Sequence, residues 1–171
     1  MNKAIFFDRD GVLNEEIGYL YEIEKFKWID GAREAIKFCN EKNFLTIVVT
    51  NQSGVARGYY TEDDVKKIHN FMQEDLKNFS AHIDAFYYCP HHPESEIEIY
   101  KKICDCRKPK PGMILQAAKD FDIDLKNSIL FGDSQRDLDA AKNAGLKAEI
   151  FFSGGNLFQA VKNSLEKFFE I

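Results

Sequence analysis

Short apolar runs alternate along the chain with segments whose apolar residues recur every three or four positions. Five of the runs have the length and the β-branched or aromatic content of buried strands: AIFF (4–7), LTIVVT (45–50), IDAFYYC (83–89), SILFGD (128–133) and KAEIFF (147–152). Because helical segments separate these runs, the pattern predicts an α/β fold with a Rossmann-like parallel sheet that is covered by helices on both faces.

The segments between the runs have the spacing of amphipathic helices. We predict five helices: 31–42, 61–79, 112–121, 137–145 and 157–169. Thr61 is a candidate N-cap, with Asp64 three residues later as an approximate capping box. Pro111 suits the first helical position, and Gly145 suits the end of a helix. Cys39 lies on the apolar face of the first helix, where we expect a core residue.

Composition and charge narrow the class of protein. The 171 residues are 44% hydrophobic and 30% charged, which suits one globular domain over residues 1–171. The net charge of −5 argues against a general nucleic-acid binder. No apolar run approaches the ~20 residues of a membrane span, and the first residues do not resemble a signal peptide. We expect a cytoplasmic monomer with reduced thiols and no nucleic-acid or membrane partner.

Polar residues follow the predicted strands directly. Asp8 and Asp10 follow the first run, Thr50 ends the second and Asp133 ends the fourth. Ligands of parallel sheets bind outside the carboxyl ends of the strands, so we expect these side chains to converge. One such Asp is often only a strand end or a helix cap, but three carboxylates in one crevice repel one another unless a cation lies between them. Mg²⁺ suits such oxygen ligands.

Other phosphate and metal motifs do not match. A calcium loop that began at Asp8 would need a ligand, a glycine and a glutamate at its positions 5, 6 and 12. Those positions hold Val12, Leu13 and Tyr19. The chain also lacks the glycine-rich motifs of phosphate loops and dinucleotide sites.

Two aspartates that lie two residues apart can divide the work of phosphoryl transfer. One can attack phosphorus, while the other exchanges protons with the leaving and attacking oxygens. Donors for the phosphoryl oxygens are the Thr50 hydroxyl, the backbone of residues 51–54 and a lysine. Lys108 and Lys110 are both candidates for that lysine.

A second cluster, Cys89-x-His91 and Cys104-x-Cys106, holds three thiols and an imidazole. A closed Cys₃His set is typical of structural zinc, although this spacing is tighter than the usual Cys-x-x-Cys. His92 competes with His91 as the nitrogen ligand. A reducing compartment disfavours a disulfide, and a catalytic thiol has little support.

The segments FFDRDGV, VVTNQSG, RKPKPG and FGDSQRD resemble, in this order, the four motifs of the haloacid-dehalogenase-like phosphatases, and the resemblance extends over essentially the whole chain. Within that superfamily the chain looks most like the phosphatases that remove the 7-phosphate of D-glycero-D-manno-heptose 1,7-bisphosphate. Histidinol-phosphate and other sugar-phosphate phosphatases are the alternative. The resemblance implies a small phosphatase without a large cap domain that uses an aspartyl-phosphate, in the synthesis of nucleotide-activated heptose for lipopolysaccharide or capsule.

The resemblance also implies roles for individual residues. Asp8 is the expected nucleophile and Asp10 the general acid/base, and Asp8, the carbonyl of Asp10 and Asp133 are the expected Mg²⁺ ligands. Thr50 and Lys108 would steady the phosphoryl group. The expected zinc ligands are Cys89, His91, Cys104 and Cys106. The expected substrate-binding residues are Glu16, Gly18, Tyr19, Asn51, Gln52, Ser53 and Arg107.

Two positions depart from the pattern of these relatives. Ser134 stands where they usually carry a basic residue, and Ile17 stands where a histidine is frequent. With fewer cations, we expect only modest discrimination against monophosphates.

Two other classes compete with a phosphatase. A phosphoacceptor signalling domain also has clustered acids, a threonine and a lysine, but it needs an acceptor Asp where the third run here ends in Tyr88-Cys89. A zinc-stabilised binding module without activity would leave the acids of the crevice unexplained.

Overall fold

The computed structural model describes residues 1–171. Its five strands form one sheet in the order β3-β2-β1-β4-β5, and every pairing is parallel. The strands are β1 Ala4–Phe7, β2 Leu45–Asn51, β3 Ala85–Cys89, β4 Ile129–Gly132 and β5 Ala148–Phe151. The chain adds strands on one side of β1 and then on the other, so the strand order reverses at β1, where α/β sheets bind ligands.

Five α-helices connect the strands: α1 Ala32–Glu41, α2 Glu62–Lys77, α3 Gly112–Phe121, α4 Gln135–Ala144 and α5 Leu157–Phe169. Short 3₁₀ turns occupy Ile23–Lys25, Glu98–Tyr100 and Leu125–Asn127. None of the helices has the length and apolar character that a membrane span requires.

The predicted N-cap of α2 and the predicted end of α4 are confirmed, whereas the role of Pro111 and the predicted start of α4 are corrected. Thr61 and Asp64 form the predicted capping box of α2, and Gly145 ends α4 with a left-handed φ of 84°. Pro111 is the N-cap of α3 and not its first helical residue, because its backbone angles (φ −89°, ψ 9°) are not helical; the Gly112 amide bonds to the Asp105 carbonyl at 2.8 Å. Helix α4 begins at Gln135, two residues earlier than predicted.

Alternate residues of each strand enter two different hydrophobic layers, as the pleat of a strand requires. Ile5 and Phe7 pack in a layer with residues of α1, α2 and α5, and Cys39 is buried in this layer as predicted. Ala4 and Phe6 pack in the opposite layer with residues of α3 and α4. The sheet is therefore covered on both faces, which confirms the predicted fold class.

The connections that follow β1, β2 and β3 build the rest of the site. Residues 8–44 hold one 3₁₀ turn and α1, and residues 52–84 hold α2. The connection from β3 to α3 holds only the turn Glu98–Tyr100. No separate cap domain interrupts the first two connections, as expected.

Candidate active site

The carboxyl ends of β1, β2 and β4 bring the predicted polar residues together. Asp8 lies immediately after β1, and its amide donates to the Phe131 carbonyl of β4 at 3.0 Å. Thr50 lies near the end of β2, and Asp133 follows β4. These residues line one polar cavity of about 170 Å³, which we call the inner cavity. The lining is Asp8, Asp10, Glu16, Thr50, Asn51, Lys108, Asp133, Ser134, Arg136 and Asp137.

Lys108 is the lysine of this cavity. Its Nζ lies 2.8 Å from Asp8 Oδ1, 2.6 Å from Asp137 Oδ1 and 2.8 Å from the Val49 carbonyl. These three acceptors use all three hydrogens of the ammonium group, and the residue is only 3% exposed. Lys110 is exposed. The structure therefore places Lys108, and not Lys110, beside the expected nucleophile.

Asn51 fixes the backbone that carries this lysine. Its Oδ1 accepts from the Lys108 amide at 3.0 Å, and its Nδ2 donates to the Lys108 carbonyl at 3.2 Å. The Asn51 side chain thus joins β2 to the segment before α3. A contact of this side chain with substrate stays a prediction.

Asp137 is a site residue that the sequence analysis missed. Its Oδ2 accepts hydrogen bonds from the Asp133 amide, the Ser134 amide and the Ser134 hydroxyl, at 3.0–3.2 Å. It is the capping-box residue of α4 and is 2% exposed. The N-cap pattern of Ser134 and Asp137 was present in FGDSQRD, but the helix start that we predicted at 137 hid it.

Three carboxylates lie close to one lysine, so this part of the cavity carries an excess of negative charge that a divalent cation would neutralise. Oxygens of Asp8, Asp133 and Asp137 lie within 4.8 Å of one another. Burial raises the pKa of Asp8 although Lys108 opposes this, and the Asp137 charge raises it further. Both Asp137 oxygens are taken by donors, which leaves Asp8 and Asp133 with oxygens for a metal. Mg²⁺ prefers such ligands, so the residues fit the expected site.

The backbone of the Asp-x-Asp-Gly turn approaches this site closely. Gly11 has a φ of 89°, and a Cβ there would lie 1.9 Å from Asp133 Oδ2. A side chain at position 11 would therefore displace the carboxylate that the metal requires.

Asp10 is held by donors on both of its oxygens. Arg9 Nη2 lies 3.1 and 3.2 Å from them, Asn14 Nδ2 donates at 2.9 Å and Gln52 Nε2 donates at 3.0 Å. Burial alone would raise the pKa of Asp10, but the Arg9 charge and these hydrogen bonds lower it overall. The free carboxylate is therefore ionised and oriented, as a general base requires.

Arg9 contacts Asp10 and His69 contacts Arg9, and the sequence analysis missed both residues. Arg9 is completely buried, and its Nη1 lies 3.2 Å from His69 Nε2. Burial lowers the pKa of His69 to about 3, and the Arg9 charge contributes, so the ring is neutral and can accept from Arg9. His69 also stacks on Phe86, with ring centroids 4.4 Å apart.

A second cavity of about 260 Å³, the outer cavity, adjoins Asp10. All seven expected substrate-binding residues line it: Glu16, Gly18, Tyr19, Asn51, Gln52, Ser53 and Arg107. Gln52 is buried, and its polar atoms are satisfied there, since it donates to Asp10 and Thr50 and accepts from the Tyr60 hydroxyl. Arg57, Tyr60 and Arg136 also line this cavity and were not predicted.

The Cys₃His cluster has the geometry of a closed metal site. Cys106 Sγ lies 2.8 Å from Cys89 Sγ, 3.2 Å from Cys104 Sγ and 3.4 Å from His91 Nδ1. Four ligands around zinc at about 2.3 Å would be roughly 3.5–3.8 Å apart, so a small adjustment accommodates the ion. The clustered ligand atoms belong to Cys89, His91, Cys104 and Cys106 and not to His92, whose Nδ1 accepts from the Glu94 amide at 3.1 Å. The cluster is compatible with structural zinc.

The chain resembles known proteins in sequence and in structure. Residues 105–156 match a family model described as HAD-hydrolase-like. A D-glycero-beta-D-manno-heptose-1,7-bisphosphate 7-phosphatase of Haemophilus influenzae is 46% identical over 155 residues, which are 91% of this chain and 84% of that protein. The corresponding alpha-heptose enzyme of Burkholderia mallei is 48% identical over 145 residues, 85% and 77% of the two chains.

A crystal structure provides the structural counterpart. The D,D-heptose 1,7-bisphosphate phosphatase of B. bronchiseptica, in complex with magnesium and phosphate, is 33% identical and superimposes with a TM-score of 0.79. The superposition covers 94% of this chain and 86% of that one.

Proposed function

The chain belongs to the haloacid-dehalogenase-like phosphatases, and we propose that it hydrolyses the 7-phosphate of a D-glycero-D-manno-heptose 1,7-bisphosphate in a reaction that requires Mg²⁺. The observation that carries this proposal is that two aspartates, two positions apart, have different charged partners and so suit different roles. Asp8 is bound by Lys108 beside Asp133, whereas Asp10 is held ionised by Arg9. The relatives that match most of the chain act on heptose bisphosphates according to their names.

In the first step, an Asp8 carboxylate oxygen attacks phosphorus and the bond from phosphorus to the sugar oxygen breaks. Asp10 gives the leaving oxygen its proton. The negative charge of a bound phosphate raises the pKa of a neighbouring carboxyl group, which favours the protonated form of Asp10 in the complex. Lys108 and Thr50 stabilise the charge on the transferring oxygens.

In the second step, water attacks the aspartyl-phosphate and Asp10 takes the proton of the water. The free Asp8 carboxylate and inorganic phosphate result. The sugar keeps its anomeric phosphate, which a nucleotidyltransferase needs to activate it, so the reaction belongs in the synthesis of nucleotide-activated heptose.

Asp8, the Asp10 carbonyl and Asp133 would hold Mg²⁺, which would neutralise the excess of carboxylates and polarise the phosphoryl group. Cys89, His91, Cys104 and Cys106 would hold zinc. Their loop leads directly into Arg107 and Lys108 and is tied to α3 through the bond from Gly112 to Asp105. The zinc would therefore hold both cations over the cavities.

Phosphate release tests the substrate. Protein loaded with Mg²⁺ is assayed with both anomers of the heptose bisphosphate, heptose 7-phosphate and histidinol phosphate, with Asp8→Asn as the matched inactive control. We expect the highest kcat/KM with one bisphosphate anomer. Faster turnover of histidinol phosphate would refute the substrate assignment and leave the phosphatase mechanism in place. Activity without a divalent cation would refute the Mg²⁺ requirement.

A further inference from the structure

Three arginines that approach the outer cavity lack acidic partners. Arg57 comes from the segment after β2, Arg107 from the zinc loop and Arg136 from the start of α4, and all three line the cavity. The ion pairs of arginine in this molecule are Arg9 with Asp10 and Arg33 with Asp75. Arg57, Arg107 and Arg136 form none.

One nitrogen of the half-buried Arg107 guanidinium is buried without a hydrogen-bond partner. Arg107 Nη1 has no hydrogen-bond partner although the atom is buried. A buried and unsatisfied donor costs free energy comparable with a lost hydrogen bond, and more when it is charged. Native structures keep few such groups, and each calls for an explanation.

The acidic residues at this cavity do not neutralise the arginines. Asp10 is taken by Arg9, Asn14 and Gln52. Glu16 Oε1 accepts the Gly18 amide at 2.6 Å, so this carboxylate braces its own loop. Three positive charges therefore face a space to which the protein supplies at most one further negative charge.

Arg136 occupies a special position among the three. It lines both the inner and the outer cavity, and it directly precedes Asp137, whose side chain is fixed by Lys108 and by the cap of α4. Its neighbour Ser134 cannot take this role, because its hydroxyl donates to Asp137. From the start of α4 the exposed Arg136 side chain thus reaches both the inner cavity, where the reacting phosphate would bind, and the outer cavity.

We propose that Arg57 and Arg136 complete, with Arg107, a binding site for the second anionic group of the substrate, and that Arg136 is the residue that selects bisphosphates over monophosphates. The inference rests on the proposed function, because it takes the outer cavity as the place of the part of the sugar that does not react. Guanidinium groups bind phosphate oxygens in pairs with charge-assisted hydrogen bonds, which explains the choice of arginine at all three positions. The proposed site replaces our expectation that discrimination against monophosphates is only modest, because Arg136 would supply the positive charge that Ser134 does not.

The test compares a bisphosphate with the monophosphate of the same sugar. Arg136→Gln should lower kcat/KM for heptose 1,7-bisphosphate by roughly 10- to 100-fold, with about a twofold change at most for heptose 7-phosphate. Arg57→Gln should shift the same ratio less, because the Arg57 guanidinium also lies 5.9 Å from the Tyr19 ring. Lys119→Gln is the matched control, since it removes one charge from an exposed position of α3.

Equal losses on the two substrates would overturn the proposal, because they would place Arg136 on the reacting phosphate. An unchanged bisphosphate rate would overturn it as well. If the heptose bisphosphate is not turned over, the proposed substrate fails, and the ratio is measured with fructose 1,6-bisphosphate against fructose 6-phosphate. A ratio that falls in Arg136→Gln still supports the site, and a constant ratio refutes it.

Calorimetry provides a readout that does not depend on turnover. The Mg²⁺-loaded Asp8→Asn protein should bind the bisphosphate more tightly than the monophosphate, and adding Arg136→Gln should remove most of that difference. An equal preference in both proteins would refute the role of Arg136.

Discussion

In the inner cavity Lys108 pairs with the carboxylates of Asp8 and Asp137, whereas the three arginines that line the outer cavity have no acidic partner. Lys108 has three acceptors and Asp137 has four donors around the reacting carboxylate. The adjoining outer cavity differs, because its three arginines have no acidic partner: Arg57, Arg107 and Arg136.

This difference separates two tasks. Groups that are already oriented stabilise a transition state without reorganising during the reaction, and the partners of Lys108 orient it before substrate binds. Arg57 and Arg136 are exposed to water, so without acidic partners they remain available to an anionic ligand at little cost in stability. Substitutions in the inner cavity should therefore cost both activity and stability, while those in the outer cavity should cost binding alone.

The largest effect is expected at Asp8. Asp8→Asn should abolish turnover, because an amide neither attacks phosphorus nor balances the charge of Mg²⁺, while the thermal unfolding curve should keep its cooperative form. Asp10→Asn should lose roughly 10²–10⁴-fold in kcat. Phosphate release with excess substrate measures both. More than a trace of activity in Asp8→Asn would contradict the covalent mechanism.

Substitutions at the neighbouring residues Asp137 and Arg136 test the difference between the two cavities directly. Asp137→Ala removes one of the two carboxylates that pair with the buried Lys108 and also removes the cap of α4, so we expect a loss of about 3–5 kcal/mol in the free energy of unfolding and a kcat at least about tenfold lower. Arg136→Gln should change the free energy of unfolding by no more than about 0.5 kcal/mol. Urea denaturation of both variants provides the comparison, and similar losses of stability in the two would abolish the distinction between the cavities.

The Cys₃His cluster should bind about one zinc ion per chain, measured by elemental analysis of gently purified protein. Cys104→Ser and Cys106→Ser should each lower stability by several kcal/mol, because the free energy of zinc binding contributes to folding. His91→Ala should be more destabilising than His92→Ala, which is its matched control. Protein that folds fully and contains no zinc would contradict this assignment.

The smallest effect is expected at His69, the buried histidine that contacts Arg9, on the pH dependence of stability. Its pKa is about 3 in the folded protein and 6.5 for a histidine that is fully exposed to water, so below pH 6.5 the unfolded chain binds the proton better. Stability is therefore fully present above pH 6.5 and falls as the pH drops toward 3, by roughly 2 kcal/mol at pH 5. His69→Gln should flatten this part of the curve. Parallel curves for the two proteins, from denaturation at pH 7 and pH 5, would show that His69 does not titrate in this way.

Much of the fold could be predicted from local pattern. Each of the five strands lies within two residues of its predicted bounds, and α5 matches its prediction completely. The start of α4 was wrong because apolar periodicity begins at Leu138, whereas the helix begins with the polar residues of its capping box. One domain over residues 1–171, a monomer and a cytoplasmic location stay predictions.

Only part of the candidate site could likewise be predicted from local pattern. Asp8, Asp10, Thr50 and Asp133 could be identified because each directly follows or ends an apolar run. The motif CRKPKPG offered two lysines, and only burial distinguished them. Arg9, His69, Arg57 and Arg136 carry no local signal strong enough to separate them from ordinary surface or core positions, whereas the capping-box signal of Asp137 was missed because the helix was predicted to start there.

The sequence by itself determined the order of strands and helices along the chain and the crevice at the ends of β1, β2 and β4, because each depends on neighbouring residues or on a general property of parallel sheets. It also grouped the three cysteines with a histidine, but only the structure selected His91 over His92. Only the tertiary structure decided which charges are paired. Asp8 meets Lys108 across 100 positions and Arg9 meets His69 across 60, and the three unpaired arginines come from three separate connections. A charge is paired or left free by its distance to other charges in space, and the folded chain alone establishes those distances.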